Sequence, residues 1–433
     1  MLLLHLLLGC SAPGSAPGAA PPPLPPDLSQ PVTVLDAAAG VCVSVQLDRW
    51  DADHRAAMVS ALQSMGVREV RHDLVWSYVE PSQGAFDWAT EDAWVDAVEA
   101  AGFEVIAMTG YGNAWASSEP AADAYYPPDD PADFANFAGL AAARYGDRIG
   151  RYEIWNEPNA GYRFWKVGDP PAISGDPEGY ADLFVPASAA IHAAAPGAAV
   201  EVGGTFFLPT GIVGGAEFVA DAASWNPDFL SSADAVAYHP YTTYPPRVGP
   251  EEGEGDEEPI DAMQADMRAA SGGLLPLSIT EAGWPSWGTV DEAMQGALLL
   301  RGFALAQADG VRDYCAYTLE DFGDPGNPEG DFGLYRSGAV ERKPAADAWA
   351  SIAANIDGMD CYGRAESALD LPAGVYAVRW ASADAAATLI WTTSGEQVVT
   401  LPGSAGLCGA GSVTASEVPT WATEVACSGA GGS

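Results

Sequence analysis

Two glutamates stand at the ends of apolar, strand-like runs of the sequence, where their carboxyl groups could act as an acid, a base or a nucleophile. Glu157 ends a run in "RYEIWNEPN" (residues 151–159), and Glu281 ends a run in "LSITEAGW" (residues 277–284). Either glutamate alone would be explained as the solvated end of a strand. Two carboxylates that face one pocket can hydrolyse a glycosidic bond, because one protonates the leaving oxygen while the other attacks or stabilises the oxocarbenium-like centre.

A repeating pattern predicts the elements that would bring these glutamates together. Eight short apolar runs alternate with helical patterns, which is typical of a (β/α)8 barrel. The runs are "VCVSVQL", "VREVRHDL", "FEVIAMTG", "RYEIWNE", "AAVEVGG", "DAVAYHPY", "PLSITEAG" and "RDYCAYTLED". The helical patterns cover residues 53–65, 90–101, 131–145, 178–194, 215–224, 259–271, 290–308 and 344–355. An open doubly wound sheet is the alternative, but no glycine-rich phosphate turn follows a run.

The barrel predicts one shared pocket for both glutamates. Catalytic groups of such barrels lie at the carboxyl ends of the strands, and Glu157 and Glu281 end the fourth and seventh runs. Strict alternation along a strand would point Asn156 and Glu157 to opposite faces. A local bulge or bend at the end of the fourth strand would let both residues face the pocket.

Other polar residues end runs at the same rim. Arg71, at the end of the second run, is the cation that an ionised glutamate needs, although a strand-end salt bridge is the alternative. His239 and Tyr241 end the sixth run, and a packed core histidine is the alternative for His239. His72 and Asp73 are interpreted as supporting or structural residues.

Three tryptophans follow strands at this rim. Trp76, Trp115 and Trp284 come after the second, third and seventh runs. Sugars present C–H faces that stack on aromatic rings. Each tryptophan alone is equally well a packing residue, but as a group they predict a platform for a carbohydrate.

A second domain is predicted to follow the barrel, which is expected at residues 36–357. From residue 358 to 433 the helical patterns stop, and "GVYAVRWASADAAATLIWTTSGEQVVTL" alternates apolar and polar residues around short turns. This pattern predicts a small antiparallel β-sandwich. Its expected core contains Val375, Val378, Trp380, Leu389 and Trp391. Carbohydrate binding by Trp380 or Trp391 is the alternative to core packing.

The charge of the chain disfavours several classes of partner. The 433 residues carry 59 acidic and 18 basic groups, a net charge of −41. A surface this acidic repels nucleic acid and anionic lipid, so neither is expected as a partner. The expected partner is a carbohydrate substrate, and the chain is expected to act as a monomer.

The N-terminal residues predict export. Residues 1–10, "MLLLHLLLGC", form an apolar run that is too short to span a bilayer and that ends in a lipobox-like Leu-Leu-Gly-Cys. Residues 11–35 are rich in proline, alanine, glycine and serine, which is typical of an extended tether. Cys10 is therefore the expected lipidation site. The protein is expected outside the cytoplasm and at a membrane only through this anchor, with simple secretion as the alternative.

The other five cysteines do not indicate a metal site. No CxxC or histidine-rich spacing is present, and neither a metal nor a cofactor is expected. Cys408 and Cys427 flank one β-rich stretch and are the favoured disulfide, with Cys361 as a competing partner. Cys42 and Cys315 lie in the first and last barrel runs, where a disulfide and buried free thiols are equally compatible with the pattern.

Longer motifs resemble the clan A glycoside hydrolases, which are retaining (β/α)8 enzymes. "WNEP" at the fourth run and "TEAGW" at the seventh resemble the clan's motifs around its two glutamates. Residues 67–88, "VREVRHDLVWSYVEPSQGAFDW", are similar to the second strand of the clan, particularly in family 39 and related family 5 members. Residues 332–349, "FGLYRSGAVERKPAADAW", are similar to their last helix, and an appended β domain is common among them.

The resemblance implies a role for each matching residue. Glu157 would be the acid/base and Glu281 the nucleophile, with Asn156 binding the 2-hydroxyl of the sugar. Tyr241 matches the tyrosine that donates to the nucleophile in the clan, and His239 would contact the sugar or the acid/base. General physics agrees with this division, because an apolar pocket keeps an acid protonated and a nearby cation keeps a nucleophile ionised.

One departure from the clan concerns the place that holds the sugar. After the eighth strand the clan usually has a tryptophan beneath the sugar, whereas "CAYTLED" gives Tyr317 here. The implied function is hydrolysis of β-glycosides. A transglycosylase would use the same residues and differ in how well its site excludes water. A carbohydrate-binding lipoprotein without catalysis is the alternative from another class, but a binding protein does not need the paired glutamates.

Overall fold

The computed structural model describes residues 31–32, 41–119, 123–207, 213–242, 248–252, 258–273, 275–324, 326–338, 340–401, 407–409 and 411–426. Cys10, most of the expected tether, Cys427 and the side chain of Cys408 lie outside these residues, so the expectations about them stay predictions. Within the described residues, no helix is both long enough and apolar enough to cross a membrane.

Eight parallel strands close into a barrel, which confirms the predicted (β/α)8 fold. Each strand pairs with the next one along the chain, and the last strand pairs with the first. The strands are β1 Val41–Val45, β2 Glu69–Val75, β3 Glu104–Gly110, β4 Arg151–Ile154, β5 Ala199–Phe206, β6 Ala235–His239, β7 Leu277–Ala282 and β8 Tyr314–Ala316. Nearly all of these residues are buried, as expected for strands that are covered on both faces.

Helices follow the strands and cover the barrel. They are α1 Ala52–Ser64, α2 Trp76–Val79, α3 Ala89–Ala101, α4 Pro131–Tyr145, α5 Pro177–Ala194, α6 Gly215–Trp225, α7 Ile260–Ala270, α8 Glu292–Ala308 and α9 Pro344–Ile356. Four of them begin at an aspartate whose side chain accepts from a backbone N–H of the first turn, namely Asp51, Asp130, Asp176 and Asp291. The eight predicted helical segments agree with the structure within a few residues, and the single-turn α2 is additional.

A disulfide joins the two strands that close the barrel. Cys42 of β1 and Cys315 of β8 are direct neighbours across the parallel pair, and their sulfur atoms are bonded. Of the two states that the sequence leaves open for these cysteines, the structure has the disulfide. Cys361 is buried, and its Sγ lies 3.6 Å from the carbonyl oxygen of Gln307.

Charged side chains fill the interior of the barrel in layers. Alternation along β2 points Glu69, Arg71 and Asp73 inward, in order from the amino end to the carboxyl end of the strand. In the lower layer, Arg151 of β4 pairs with three buried carboxylates, those of Glu69, Glu201 and Asp313. Arg71 lies one layer above, so the second strand carries an inward line of charge from the base of the barrel to its mouth.

Antiparallel strands follow the barrel and confirm the predicted β-sandwich. A short hairpin, β9 Tyr335–Arg336 and β10 Glu341–Arg342, precedes α9. The later strands are β11 Asp360–Arg364, β12 Val375–Ala381, β13 Ala385–Thr392, β14 Gln397–Leu401, β15 Leu407–Gly409, β16 Gly411–Ala415 and β17 Thr420–Ala426. One sheet has the order β11-β12-β13-β17-β15, and β14 pairs with β16.

Strands β12 and β13 of the five-stranded sheet are buried on both of their faces. One face packs on the barrel, where Trp380 of β12 stacks on Phe303 of α8. The other face packs on β14 through residues such as Val375 and Val399. Every residue of the predicted core is buried: Val375, Val378, Trp380, Leu389 and Trp391. Because Trp380 and Trp391 are fully buried, the alternative that they bind carbohydrate is wrong.

Candidate active site

The fourth strand ends in a sharp turn that brings two consecutive polar residues into the mouth of the barrel. β4 ends at Ile154, and positive φ angles follow at Trp155 (70°) and Glu157 (45°). Such angles are uncommon outside glycine and concentrate at functional sites. Strand alternation stops at this turn, so Asn156 and Glu157 both line a cavity of about 620 Å³. This is the local bend that the sequence requires if both residues are to share one pocket.

An irregularity in the seventh strand directs Glu281 into the same cavity. The register between β7 and β8 shifts between Ile279 and Ala282, as it does at a β-bulge. Thr280 and Glu281 are consecutive, yet both side chains point into the barrel. Thr280 Oγ1 lies 3.3 Å from a carboxylate oxygen of β4, and Glu281 lines the cavity. The sequence pattern gives no sign of this bulge.

Arg71 connects the polar groups of the site from below. Its Nη1 donates to Glu281 Oε1 at 2.7 Å, and its Nη2 donates to Asn156 Oδ1 at 2.8 Å. Burial alone would lower the pKa of the Arg71 guanidinium, but the carboxylates of Glu153 and Glu281 raise it well above its ordinary value. The structure thus brings together Arg71, Asn156 and Glu281, which the sequence predicts for one site.

Glu153 anchors Arg71 and was not predicted. Arg71 Nε and Nη2 donate to the two oxygens of Glu153 at 2.6 and 3.0 Å, and the Gly204 N–H donates to Glu153 Oε1 at 2.8 Å. The signal that could have identified Glu153 is alternation. Arg151 and Glu153 are charged residues two apart on a buried strand, and that spacing places both on the inward face.

The two glutamates face each other across the cavity at short range. One oxygen of each carboxylate and one ring nitrogen of His239 all lie within 4.8 Å of one another. Burial raises the pKa of Glu157 to about 7, although Arg163 and Arg71 oppose the shift. Glu281 accepts from Arg71 and, at 3.3 Å, from the Tyr241 hydroxyl. The pair therefore combines a group that holds a proton near neutral pH with a carboxylate that is oriented by a cation and a hydroxyl.

His239 lies behind Glu157 and not in the cavity. It is fully buried, and burial lowers its pKa to about 4, so the ring is neutral at pH 7. Its Nδ1 is 2.9 Å from Glu157 Oε1, and its Nε2 is 3.1 Å from Thr280 Oγ1. Of the two contacts expected for His239, the structure has the one with Glu157. His239 is not among the residues that line the cavity, so the alternative contact with the sugar is not seen, and its Nδ1 also lies 3.8 Å from Glu281 Oε2.

The hydrogen bonds around His239 have one consistent direction. Burial disfavours the charged form of Glu153, but Arg71 outweighs it and holds the pKa of Glu153 below its ordinary value. Its carboxylate therefore accepts from the Thr280 hydroxyl at 3.3 Å. Thr280 in turn accepts from Nε2–H of His239, which leaves Nδ1 of the neutral ring as an acceptor. An acceptor beside Glu157 favours the protonated carboxyl group.

The three predicted platform tryptophans lie outside the cavity, so that prediction is wrong. Trp76 is fully buried in α2, stacks on Phe137 of α4 and donates from Nε1 to Glu80. Trp115 donates to the Glu80 carbonyl, and Trp284 donates to the Val248 carbonyl. The reason is the backbone after each strand, which turns these rings toward the surrounding helices and loops.

Other aromatic rings form the wall of the cavity instead. Tyr317, which the sequence places after the eighth strand, does line it, as does Tyr241. The remaining rings come from α2 (Tyr78), from the end of β5 (Phe206) and from loops that carry no repeated motif (Tyr111, Tyr125, Phe164, Phe322 and Phe332). Since loop conformation decides which rings reach the cavity, the sequence signal for them is only their position after a strand.

The cavity is lined by five charged residues that were not predicted to lie there: Asp48, Arg49, Asp73, Arg163 and Glu329. Arg163, in the segment after β4, lies 3.8 Å from Glu329 and opposes the raised pKa of Glu157. Asp73 lines the cavity, whereas the sequence interpretation made it a supporting residue. Its spacing of two from Arg71 on a strand is the signal that could have placed it. His72 is structural as expected, since its ring stacks on Trp94 at 4.2 Å.

One group of described residues has the geometry to hold a metal ion, and it coincides with the glutamate pair. Glu157, His239 and Glu281 each offer one ligand atom within 4.8 Å of the others. The Arg71 guanidinium already binds Glu281 at 2.7 Å, and its positive charge disfavours a second cation at this place. The expectation that no metal is used stays a prediction.

Comparison with known proteins indicates glycoside hydrolases. Residues 45–122 match the model of glycoside hydrolase family 42, which is described as beta-galactosidase. No curated protein matches the chain. The matched segment contains β2 with Arg71 and Asp73, so it includes part of the cavity wall but neither glutamate of the pair.

Solved structures of glycoside hydrolases share the whole fold. A family 39 enzyme from the gut symbiont Bacteroides cellulosilyticus WH2 is 22% identical, with a TM-score of 0.68 over 91% of this chain and 82% of that one. A monomeric beta-xylosidase from Caulobacter crescentus CB15 is 18% identical, with a TM-score of 0.61 over 87% of this chain and 76% of that one. A family 30 endoxylanase from Clostridium papyrosolvens C71 is 13% identical, with a TM-score of 0.59 over 92% of this chain and 98% of that one. The chain therefore has the fold of these glycoside hydrolases, and the resemblance that the sequence predicts is confirmed for the fold.

Proposed function

We propose that the protein is a glycoside hydrolase that cleaves β-O-glycosidic bonds with retention of configuration. The spacing of the glutamate pair carries this proposal. Oxygens of Glu157 and Glu281 lie within 4.8 Å of each other, which is close to the spacing of about 5–5.5 Å that retaining enzymes use. Inverting enzymes need about 6.5–9.5 Å, because a water molecule must fit between the carboxylate and the sugar.

The surroundings of each glutamate suit one role in the two chemical steps. Glu281, oriented by Arg71 and Tyr241, attacks the anomeric carbon while Glu157 gives its proton to the leaving oxygen. In the second step the ionised Glu157 takes a proton from water, and that water releases the sugar from Glu281. Asn156, held by Arg71, is placed to bind the 2-hydroxyl beside the reacting carbon.

The comparisons suggest which sugars to test first. The matching family model is described as beta-galactosidase, and one structural relative is a beta-xylosidase. We propose a β-linked oligosaccharide or polysaccharide as substrate and a monomer as the active form. The test is hydrolysis of 4-nitrophenyl β-glycosides by the full chain, starting with the β-D-galactoside and the β-D-xyloside, followed by a panel of β-linked polysaccharides.

Retention is tested on the first product formed. Proton NMR of the reaction should show the β-anomer of the released sugar before it equilibrates in water. An α-anomer as first product would contradict the proposed mechanism. If no glycoside in the panel is hydrolysed above the rate of a Glu281→Ala variant, the proposed function is wrong.

Removal of the Thr280 hydroxyl should shift the pH profile of the enzyme. In the Thr280→Val variant, His239 no longer has an acceptor for Nε2–H, so its proton can move to Nδ1 and donate to the Glu157 carboxylate. That donation stabilises the ionised form and lowers the pKa of Glu157 from about 7. Because Glu157 must be protonated in the first step, the alkaline limb of kcat/KM should move to lower pH. We expect a shift of roughly 0.5–1 pH unit, comparable to one hydrogen bond.

Thr280→Ser is the matched control for this shift. It keeps the hydroxyl that accepts from His239, so its alkaline limb should stay with that of the wild type. An unchanged limb in Thr280→Val, with kcat lowered equally at every pH, would show that Thr280 only supports the packing of the site.

We also propose that the protein is exported and anchored by a lipid on Cys10. The lipobox-like residues 1–10 and the tether that follows support this proposal. Metabolic labelling with a fatty-acid analogue should tag the wild type in a bacterial host, and Cys10→Ala should abolish the tag. An unlabelled wild type that is found in the medium would instead indicate simple secretion.

A further inference from the structure

Two carboxylates on one side of the cavity have no part in bond cleavage. Asp73 follows Arg71 by two residues on β2, so it shares the inward face and lies one step nearer the mouth. Asp48 lies in the single turn of helix Leu47–Arg49 that follows β1. Both residues line the same cavity as Glu157 and Glu281.

Within the described residues, neither carboxylate accepts a hydrogen bond from the protein. Asp48 Oδ1 lies 3.5 Å from Nε2 of His72. That nitrogen itself accepts from the Leu47 N–H at 2.9 Å, while Nδ1 of His72 lies 2.7 Å from the Asp73 carbonyl and donates to it. Burial lowers the pKa of His72 to about 4, so the ring carries no second proton for Asp48. The side-chain oxygens of both aspartates are therefore acceptors without donors.

The position of Asp73 identifies the side of the scissile bond. Burial raises its pKa to about 7, Arg71 opposes the shift, and the charges of Glu281 and Asp48 add to it. The charges of Glu281, Asp48 and Glu153 all act on Asp73, so Asp73 lies near the proposed nucleophile and near Asp48. The nucleophile bonds to the glycone, which is the sugar that carries the reacting carbon. Arg71 binds the nucleophile and lies two residues before Asp73 on the inward face of β2, so Asp73 and the nearby Asp48 are assigned to the glycone side of the cavity.

The known contacts of Arg71 fix how the glycone must lie. Its reacting carbon must approach Glu281 and its 2-hydroxyl must approach Asn156, and both side chains are held by Arg71. The rest of the ring then extends above β2 toward the turn after β1. Asp73 and Asp48 lie there, opposite the hydroxyls that are most distant from the bond to be cleaved.

We infer that Asp48 and Asp73 form an acceptor pair that binds the 3- and 4-hydroxyls of the glycone, and so select sugars that carry both hydroxyls. This inference rests on the proposed function, because it takes the orientation of the sugar from Glu281 and Asn156. A sugar hydroxyl supplies the donor that each carboxylate lacks. A glycone without one of these hydroxyls leaves a desolvated carboxylate unpaired, which disfavours its binding.

The test combines variants of the protein with variants of the sugar. Asp73→Ala and Asp48→Ala should each lower kcat/KM for the better of 4-nitrophenyl β-D-xyloside and β-D-galactoside by about 10- to 100-fold, the effect of one charge-assisted hydrogen bond. The 3-deoxy or 4-deoxy analogue should be a similarly poor substrate of the wild type. For the analogue that lacks the matching hydroxyl, kcat/KM of the aspartate variant should be no lower than that of the wild type. Asp53→Ala, which removes an exposed carboxylate from the first turn of α1, should leave kcat/KM unchanged for the parent glycoside and for its deoxy analogue.

A readout without turnover separates this inference from the proposed function. Titration calorimetry of D-xylose, D-galactose and their deoxy forms measures binding to the full chain even if no glycoside is hydrolysed. Weaker binding of the parent sugar to Asp73→Ala, with binding of the matching deoxy sugar unchanged, would support the acceptor pair. Equal losses for parent and deoxy sugars, or the absence of sugar binding by the wild type, would overturn it.

Discussion

Replacement of Glu281 by alanine should abolish the hydrolysis of activated aryl β-glycosides, with a loss on the order of 10⁵-fold in kcat. The variant has no nucleophile, and no other described carboxylate is bound to Arg71 on the cavity side of the site. Added azide can enter the vacated space and attack the anomeric carbon from that side. The expected product is an α-glycosyl azide, which has the inverted configuration and is identified by NMR.

Glu157→Ala should fail in a different way. This variant keeps the nucleophile, so substrates with good leaving groups still form the glycosyl-enzyme. Its breakdown becomes slow, because no base activates water, and substrates with poor leaving groups should lose about 10²–10⁴-fold in kcat/KM. Azide needs no base and attacks from the face opposite Glu281, so the expected product is a β-glycosyl azide of retained configuration.

Glu104→Ala is the control for both variants. Glu104 is an exposed glutamate at the amino end of β3, far from the mouth of the barrel, and its loss should leave turnover unchanged and azide without effect. The opposite pair of azide products would reverse the roles of Glu157 and Glu281. Full activity in both variants would contradict the proposed catalytic pair altogether.

Arg71→Met should have the largest effect on stability. Arg71 and Glu153 are fully buried and joined by two hydrogen bonds, so the substitution leaves an unpaired charge in the interior of the barrel. Loss of one partner of a buried ion pair costs about 3–5 kcal/mol in the free energy of unfolding. Activity should also disappear, because Glu281 and Asn156 lose the group that orients them. Thermal unfolding followed by circular dichroism measures the first effect, and turnover measures the second.

The pH dependence of this loss has a definite sign. In the wild type, Arg71 holds the pKa of Glu153 below its ordinary value against the effect of burial, so the pair stabilises the fold above the ordinary pKa and this contribution is lost as the pH falls. In Arg71→Met, Glu153 can enter the interior only as the neutral acid. The difference in melting temperature from the wild type should therefore be larger at pH 7 than at pH 4.

The double variant Arg71→Met/Glu153→Gln is the matched control. It removes the second charge together with the first, so it should be more stable than Arg71→Met while remaining inactive. If both variants unfold at the same temperature as the wild type, the ion pair contributes nothing to the stability of the barrel.

The sequence by itself determined the order of the elements and the ends of the strands that matter. The alternation of apolar runs and helical patterns is a local property, because it follows from the two periodicities of strands and helices. It predicted all eight barrel strands, and the general location of catalytic groups in such barrels then placed Glu157 and Glu281 at one mouth. Charge alternation on β4 also contained the signal for Glu153.

Only the tertiary structure decided where side chains point after the strands end. Trp76 turns into a helix and packs on Phe137, whereas Asn156 and Glu157 both enter the cavity through a turn with positive φ angles. His239 ends a strand as predicted but lies behind Glu157, since Thr280 and the carboxyl group bind both of its ring nitrogens. These outcomes depend on turns and contacts between residues far apart in the chain, and strand periodicity carries no information about either.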